Sequence, residues 1–126
     1  MEGTTRVHDP VSVTLHPHPQ AVATARRFVA SVFGEQLDES RRRDLEVMVS
    51  EIVTNGVLHA ATTMELVVSA YDDVVRVELV DHAVGEPAIR AETGADGGFG
   101  LRIVAAMARR WGVRHEIGAK AVWFEV

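Results

Sequence analysis

The chain has no cysteine among its 126 residues, which excludes disulfides and thiolate metal sites. Its formal net charge is −5, and this lack of a basic excess argues against a general nucleic-acid binder. No apolar run approaches the roughly 18 residues of a membrane helix, and no basic-then-apolar leader opens the sequence. These absences predict a soluble, cytoplasmic protein that contacts neither a membrane nor, directly, nucleic acid.

The composition is that of a globular domain, with 47% hydrophobic and 25% charged residues. A chain of this length can bury a real hydrophobic core. Residues 1–10 are expected to form a flexible N-terminus. Because no repeat or long linker divides the remainder, residues 11–126 are expected to form a single domain.

The spacing of apolar residues predicts five strands and three helices. The strands cover 11–15, 64–71, 74–80, 113–117 and 121–126, and the helices cover 21–33, a long segment capped by Asp38, and 100–110. Gly112 is expected to end the third helix. The order β-α-α-β-β-loop-α-β-β predicts an α+β fold, a two-layer α/β sandwich. Its sheet would be mixed but mostly antiparallel, with the three helices on one face.

The second helix carries a line of polar residues beside its apolar stripe. Glu51, Asn55 and His59 recur every four residues, so they fall nearly on one line of a helix. Glu51 and Asn55 lie at the margin of the stripe that packs on the core. A solvated helix flank would explain such a pair in isolation, so its meaning depends on other polar positions.

Two further positions hold residues that packing does not require. Asp81 ends an apolar strand and opens a glycine-bearing loop, where it is either a turn former or the rim of a pocket. The segment GGFG, 97–100, precedes an apolar helix, and glycine amides at a helix start can approach an anion closely. A flexible loop joining a helix is the alternative, and the full dinucleotide-binding glycine pattern is missing.

Taken in order, these features resemble the GHKL ATPases, which include gyrase-type ATPases and the ATP-binding domains of histidine kinases. The short form here is most similar to the bacterial anti-sigma factor serine/threonine kinases and their actinobacterial relatives. The resemblance is carried by LEVMVSEIVTNGVLHA, GGFGLRIVAAMARRWGV and AVWFEV. It covers residues 11–126 and implies a Bergerat-type sandwich that binds ATP and Mg²⁺.

The resemblance assigns roles residue by residue. Asn55 would ligate Mg²⁺ through its amide oxygen, which suits a cation that prefers hard oxygen ligands. Glu51 would act as the catalytic general base and accept a proton from an attacking hydroxyl or water. His59 matches the same helix of the family and is expected to be structural support.

The same comparison assigns the nucleotide pocket. Asp81 would accept the adenine amine, and Gly85 would let the backbone approach the adenine. Residues 86–97 would form a lid over the phosphates. The remaining nucleotide-binding positions are Gly98, Gly100 and Leu101, where the two glycine amides would cradle the phosphates.

Four positions depart from the family pattern. Leu58 stands where many members have Lys or Arg, and Ala83 replaces a glycine of the first glycine box. Phe99 replaces a common Arg, and Ala121 replaces a threonine of the closing hairpin. These departures leave open a second interpretation, a catalytically weak or inactive nucleotide-sensing regulator of the same fold.

The function implied first by the resemblance is an ATP-dependent serine/threonine protein kinase. Its substrate would be an anti-anti-sigma partner of the STAS type. The same chain would sequester a sigma factor and so regulate transcription, because phosphate on the partner blocks docking by adding charge at an interface. A homodimer is also expected from the family.

Overall fold

The computed structural model describes residues 6–33, 37–59, 62–82 and 98–126. The elements follow in the order β1 (Arg6–Leu15), α1 (Gln20–Phe33), α2 (Glu39–His59), β2 (Met64–Tyr71), β3 (Val74–Asp81), α3 (Gly98–Met107), β4 (Arg110–Glu116) and β5 (Ala119–Glu125). This order confirms the predicted succession of strands and helices. None of the described helices is both long and apolar enough to span a membrane.

The described strands form one five-stranded sheet in the order β1-β2-β3-β5-β4. All four pairings are antiparallel, including β1 with β2 and β3 with β5, which no tight turn connects. Along β3, Val75, Val77 and Leu79 are buried in the core shared with the helices. Arg76 and Glu78 therefore point to the opposite face, since successive side chains alternate. The three helices cover one face, which confirms the α+β sandwich.

Helix α2 is anchored by a cap and by a continuous apolar stripe. The Asp38 carboxylate accepts a hydrogen bond from the Arg41 amide at 2.8 Å, as expected of an N-cap. The stripe fills the centre of the core and consists of Leu45, Met48, Val49, Ile52 and Val53.

Tight turns join both hairpins. The β2–β3 turn is Asp72-Asp73, the two residues between the strands predicted at 64–71 and 74–80, and Asp72 adopts φ 53°. Aspartate tolerates this left-handed conformation better than most residues because its short side chain can hydrogen-bond locally. In the β4–β5 turn, Gly118 adopts φ 76°, a conformation natural for glycine.

Strand β1 begins earlier than the alternating pattern indicates. It starts at Arg6, within the segment expected to be flexible, and Arg6 pairs with Tyr71. The register shifts twice before Val11, so the first part of the strand is irregular. Bulges of this kind disrupt the alternation from which a strand is recognised in sequence.

The prediction that Gly112 ends the third helix is wrong. Helix α3 ends at Met107, and Gly112 lies inside β4 opposite Trp123. A Cβ atom at Gly112 would lie 2.9 Å from Nε1 of Trp123. Gly112 is therefore the residue that makes room for the Trp123 indole on the sheet, and it plays no part in ending the helix.

Candidate functional site

The polar line on α2 lies at the margin of the core, where the helical spacing placed it. Glu51 and Asn55 are both half-buried, one turn apart, while Ile52 and Val53 between them are buried. Within the described ranges, no hydrogen bond or ion pair engages the Glu51 carboxylate. Asn55 does interact with neighbouring groups. Glu51 thus presents a carboxylate that is partly shielded from water and still available to a ligand.

Gly56 brings this part of α2 close to the sheet. A Cβ atom there would lie 2.6 Å from Met64 Sδ and 3.1 Å from Leu79 Cδ2, so even a methyl group would force the Met64 side chain to shift. Met64 begins β2 and Leu79 is two residues from the end of β3. Asn55, adjacent to Gly56 in the chain, is therefore held beside the sheet end at which β3 finishes.

Asp81 is the residue at that end of β3. It pairs with Met64 on one side and with Lys120 on the other, and Met64 is the residue that Gly56 contacts. Only 8% of the Asp81 surface is exposed, although a carboxylate is costly to bury without polar partners. Asp81 has at least one such interaction. Asn55, next to Gly56, and Asp81, paired with Met64, thus lie at the same end of the sandwich, and Glu51 lies one helical turn before Asn55.

Helix α3 contributes its N-terminus. It begins at Gly98, two residues before the predicted start, and packs beside α2 through buried Val104. The amides of Gly98 and Gly100 belong to its first turn, whose N–H groups have no acceptor within the helix. Such amides, with the partial positive charge of a helix start, suit an anion. Leu101 is half-buried in the next position.

His59 and Leu58 end α2 with contrasting environments. The Nε2 atom of His59 is buried and has no hydrogen-bond partner among the described residues. His59 stays predicted as structural support, and Nε2 is a buried polar atom that a bound group could satisfy. Leu58 is 71% exposed, so the side chain that replaces the family's cation points into solvent.

The arrangement fits a magnesium nucleotide by its donor chemistry. One amide oxygen on Asn55 suits Mg²⁺, which typically binds one or two protein ligands together with phosphates and water. A buried carboxylate on Asp81 suits an amine donor, and the start of α3 suits phosphate. The predicted positions Gly85, Ala83 and the lid 86–97 lie outside the described residues.

A second cluster of charges, which the sequence interpretation missed, lies on the sheet face away from the helices. Glu125 is 2% exposed and accepts hydrogen bonds from Arg76, Arg110 and Tyr71. Burial by itself raises the pKa of Glu125, but the bonds from Arg110, Tyr71 and Arg76 outweigh it and lower the pKa to about 2. The signal available in the sequence was the alternation of AVWFEV, which turns Glu125 away from Phe124.

Arg76 connects this cluster to its neighbours. Its guanidinium lies 4.0 Å from the centre of the Trp123 ring and also bonds Glu78 at 3.1 Å. Arg114 bonds the same Glu78 carboxylate at 3.0 Å. The hydrogen bond from Arg114 is the main reason that the pKa of Glu78 is lowered. These residues hold β3, β4 and β5 together and are separate from the polar end of the sandwich.

Comparisons with known proteins agree with this architecture. The family model described as a histidine kinase-like ATPase domain matches residues 15–125. Among solved structures, the RsbU and RsbW domains of Rv1364c from Mycobacterium tuberculosis match with a TM-score of 0.72 and 22% identity. That match covers 94% of this chain but only 32% of the other, and at this identity it establishes a shared fold. No curated protein gave a match.

Proposed function

The chain belongs to the histidine kinase-like ATPase domain family, and from this premise we propose that it is an ATP- and Mg²⁺-dependent serine/threonine protein kinase of the anti-sigma factor type. The observation that carries the proposal is the pair Glu51 and Asn55, one turn apart and held by Gly56 beside the sheet end that carries Asp81. Family membership supports the binding of ATP, and the Glu51–Asn55 pair supports phosphate transfer from it.

Glu51 is the proposed general base. It accepts the proton of a serine or threonine hydroxyl as that oxygen bonds to the γ-phosphorus of ATP and the bond from the γ-phosphorus to the β–γ bridging oxygen breaks, leaving ADP. A partly buried carboxylate that no described group engages is suited to this role. Asn55 would hold Mg²⁺, which when bound supplies charge neutralisation between the phosphates.

The remaining positions bind the nucleotide in this proposal. Asp81 accepts a hydrogen bond from the adenine amine, which selects ATP over GTP. Gly98 and Gly100 donate backbone amides to the phosphates, and Leu101 lies against the same pocket. Gly85, outside the described residues, is proposed to lie against the adenine.

The proposed partners follow the anti-sigma factor type. The phosphate acceptor is a STAS-type anti-anti-sigma protein, and the unphosphorylated acceptor competes with a sigma factor for this chain. The new phosphate carries about −1.5 to −2 charge near neutral pH and weakens docking at the shared surface. The chain would work in the cytoplasm as a homodimer that regulates transcription.

Exposed Leu58 favours a second candidate. Where a phosphate-facing cation is expected, the chain presents an apolar side chain to solvent. A nucleotide-sensing regulator that holds its partner without phosphate transfer would tolerate this change, because partner binding does not require stabilisation of a transferring phosphoryl group.

Phosphate transfer to a cognate STAS protein, with labelled ATP and Mg²⁺, tests the proposal. Glu51→Gln is expected to reduce transfer by at least about 100-fold while calorimetry still detects ATP binding, because only the base is removed. Glu65→Gln, on an exposed position of β2, is the matched control and should transfer phosphate as the wild type does. A wild-type chain that binds ATP but transfers nothing would leave the regulator as the function.

A further inference from the structure

Lys120 is the only lysine in the sequence, and every other residue among the 13 lysines and arginines is an arginine. It is the second residue of β5 and lies directly opposite Asp81, the last residue of β3. On its other side Asp81 pairs with Met64, the residue that Gly56 of α2 contacts. The single ammonium side chain of the sequence therefore neighbours the carboxylate that is proposed to recognise the base.

The side chains of Lys120 and Asp81 lie on the same face of the sheet. Val122 and Phe124 pack with the core, and side chains alternate along a strand, so Lys120 shares their face. Leu79 is buried in the same core, two residues before Asp81. Directly opposite residues of an antiparallel pair have Cβ atoms about 4.5–5.5 Å apart. The ammonium and the carboxylate thus start from adjacent positions on the face that the helices cover.

The Lys120 ammonium is available to a ligand. Lys120 is half-buried, and no hydrogen bond or ion pair engages it in the part of the chain that the structure describes. Opposite charges on adjacent strands often pair with each other, but Lys120 forms no such pair with Asp81. A lysine stem can cover apolar surface while its charged head seeks a polar group. A ligand held at Asp81 would supply that group.

The two side chains match one edge of adenine. Adenine presents an amine donor, at N6, beside a ring acceptor, at N1. An ionised carboxylate only accepts hydrogen bonds, and an ammonium only donates them. Asp81 and Lys120 therefore offer the acceptor and the donor that this edge requires. Guanine in the same orientation presents the acceptor O6 to the carboxylate and the donor N1–H to the ammonium, so both contacts would be repulsive.

We propose that Lys120 is a specificity-determining residue of the nucleotide site and donates a hydrogen bond from its ammonium to N1 of adenine. This bond lies beside the one that Asp81 accepts from the adenine amine. The inference rests on the ATP site of the proposed function and adds a second group that reads the base. Proton transfer by Glu51 does not depend on it.

Calorimetry with 1-deaza-ATP, in which a C–H group replaces N1, tests the contact atom by atom. The wild-type chain is expected to bind this analogue roughly 10-fold or more weakly than ATP, because the ammonium loses its acceptor. Lys120→Met removes the donor and keeps an unbranched stem. Its Kd values for ATP and 1-deaza-ATP should therefore agree within about twofold. An equal penalty for the analogue in both chains would overturn the proposal.

Arg109→Met is the matched control. It also removes one positive charge, at the other end of β3, where Arg109 pairs with Asp73. A change in net charge alone would weaken the binding of any anionic nucleotide, so this control should keep the wild-type ratio of the two Kd values. Melting curves check that both variants fold. If Lys120→Met weakens ATP and 1-deaza-ATP by the same factor, the ammonium does not read N1 and the proposal is wrong.

The single lysine also permits a test on the unmutated chain. Reductive methylation with ¹³C-formaldehyde labels Lys120 and the α-amino group and keeps their positive charge. ATP is expected to shift the NMR signal of dimethylated Lys120 at concentrations where calorimetry detects binding. Inorganic triphosphate should leave this signal in place, because it carries no base. A signal that saturating ATP does not move, or that triphosphate moves equally, would overturn the proposal.

The measurements separate this inference from the proposed kinase activity. ATP binding that depends on N1, without phosphate transfer to a STAS protein, would support the role of Lys120 and remove the kinase. Phosphate transfer by a chain that binds ATP and 1-deaza-ATP equally would do the reverse. A chain that binds no ATP would overturn both.

Discussion

Arg110 and Glu125 form a two-point contact on the face of the sheet away from the helices. Nε of Arg110 donates to one carboxylate oxygen of Glu125 at 3.0 Å, and Nη2 donates to the other at 3.2 Å. Arg76 and the Tyr71 hydroxyl donate to the second oxygen as well. A carboxylate that is 2% exposed is thus fully compensated by donors from three other strands.

The first prediction concerns the stability that this contact supplies. Glu125→Gln keeps the shape of the side chain but removes the negative charge to which Arg76, Arg110 and Tyr71 donate hydrogen bonds. We expect the free energy of unfolding at neutral pH to fall by about 2 kcal/mol, the range of hydrogen bonds to charged groups. Urea unfolding measures it. Glu39→Gln, which removes an exposed pair with Arg43, should cost less than about 1 kcal/mol, and an equal loss would contradict the prediction.

The second prediction is the pH dependence of the same contact. The pKa of Glu125 is about 2 in the folded chain, against 4.5 for an unperturbed glutamate. A lowered folded pKa means stability that is present above pH 4.5 and lost as pH falls toward 2. The difference in unfolding free energy between wild type and Glu125→Gln should therefore shrink across this interval. A difference that stays constant from pH 7 to about 2 would contradict the assignment.

Local patterns were sufficient for the elements but not for their long-range partners. The stripe of α2 and the Asp72-Asp73 turn follow from spacing and turn chemistry within a few residues. The prediction for Gly112 is wrong because the residue that requires a glycine there is Trp123, which lies on a neighbouring strand. Glycine before a polar stretch resembles a helix stop until the strand pairing is known.

In the candidate site, too, some features follow from local spacing and others depend on long-range contacts. Glu51 and Asn55 could be found from helical spacing, because both lie on one element. The burial of Asp81 depends on where α2 meets the sheet, which no local pattern contains. The compensation of Glu125 likewise comes from residues 15 to 54 positions away in the chain.

The third prediction tests the close approach of α2 to the sheet. Gly56→Ala should destabilise the fold by roughly 1 kcal/mol, because overpacking against Met64 and Leu79 outweighs the better helix propensity of alanine. In a Met64→Ala background the obstruction is removed, so the same substitution should become neutral or stabilising. Urea unfolding of the four chains in this cycle gives the coupling. Additive effects would mean that Met64 does not limit the space at Gly56.

The last prediction concerns the proposed nucleotide selection by Asp81. Asp81→Asn keeps the size of the side chain but exchanges a charged acceptor for an amide, so the proposed bond from the adenine amine would weaken. We expect calorimetry with Mg-ATP to show a Kd raised roughly 10-fold or more, and the preference for ATP over GTP to decrease. The matched control is Asp73→Asn, in the exposed turn at the other end of β3, which should bind ATP as the wild type does. Melting curves establish that both variants fold. If folded Asp81→Asn retains wild-type affinity and selectivity, the buried carboxylate serves the packing of α2 on the sheet, and another group recognises the base.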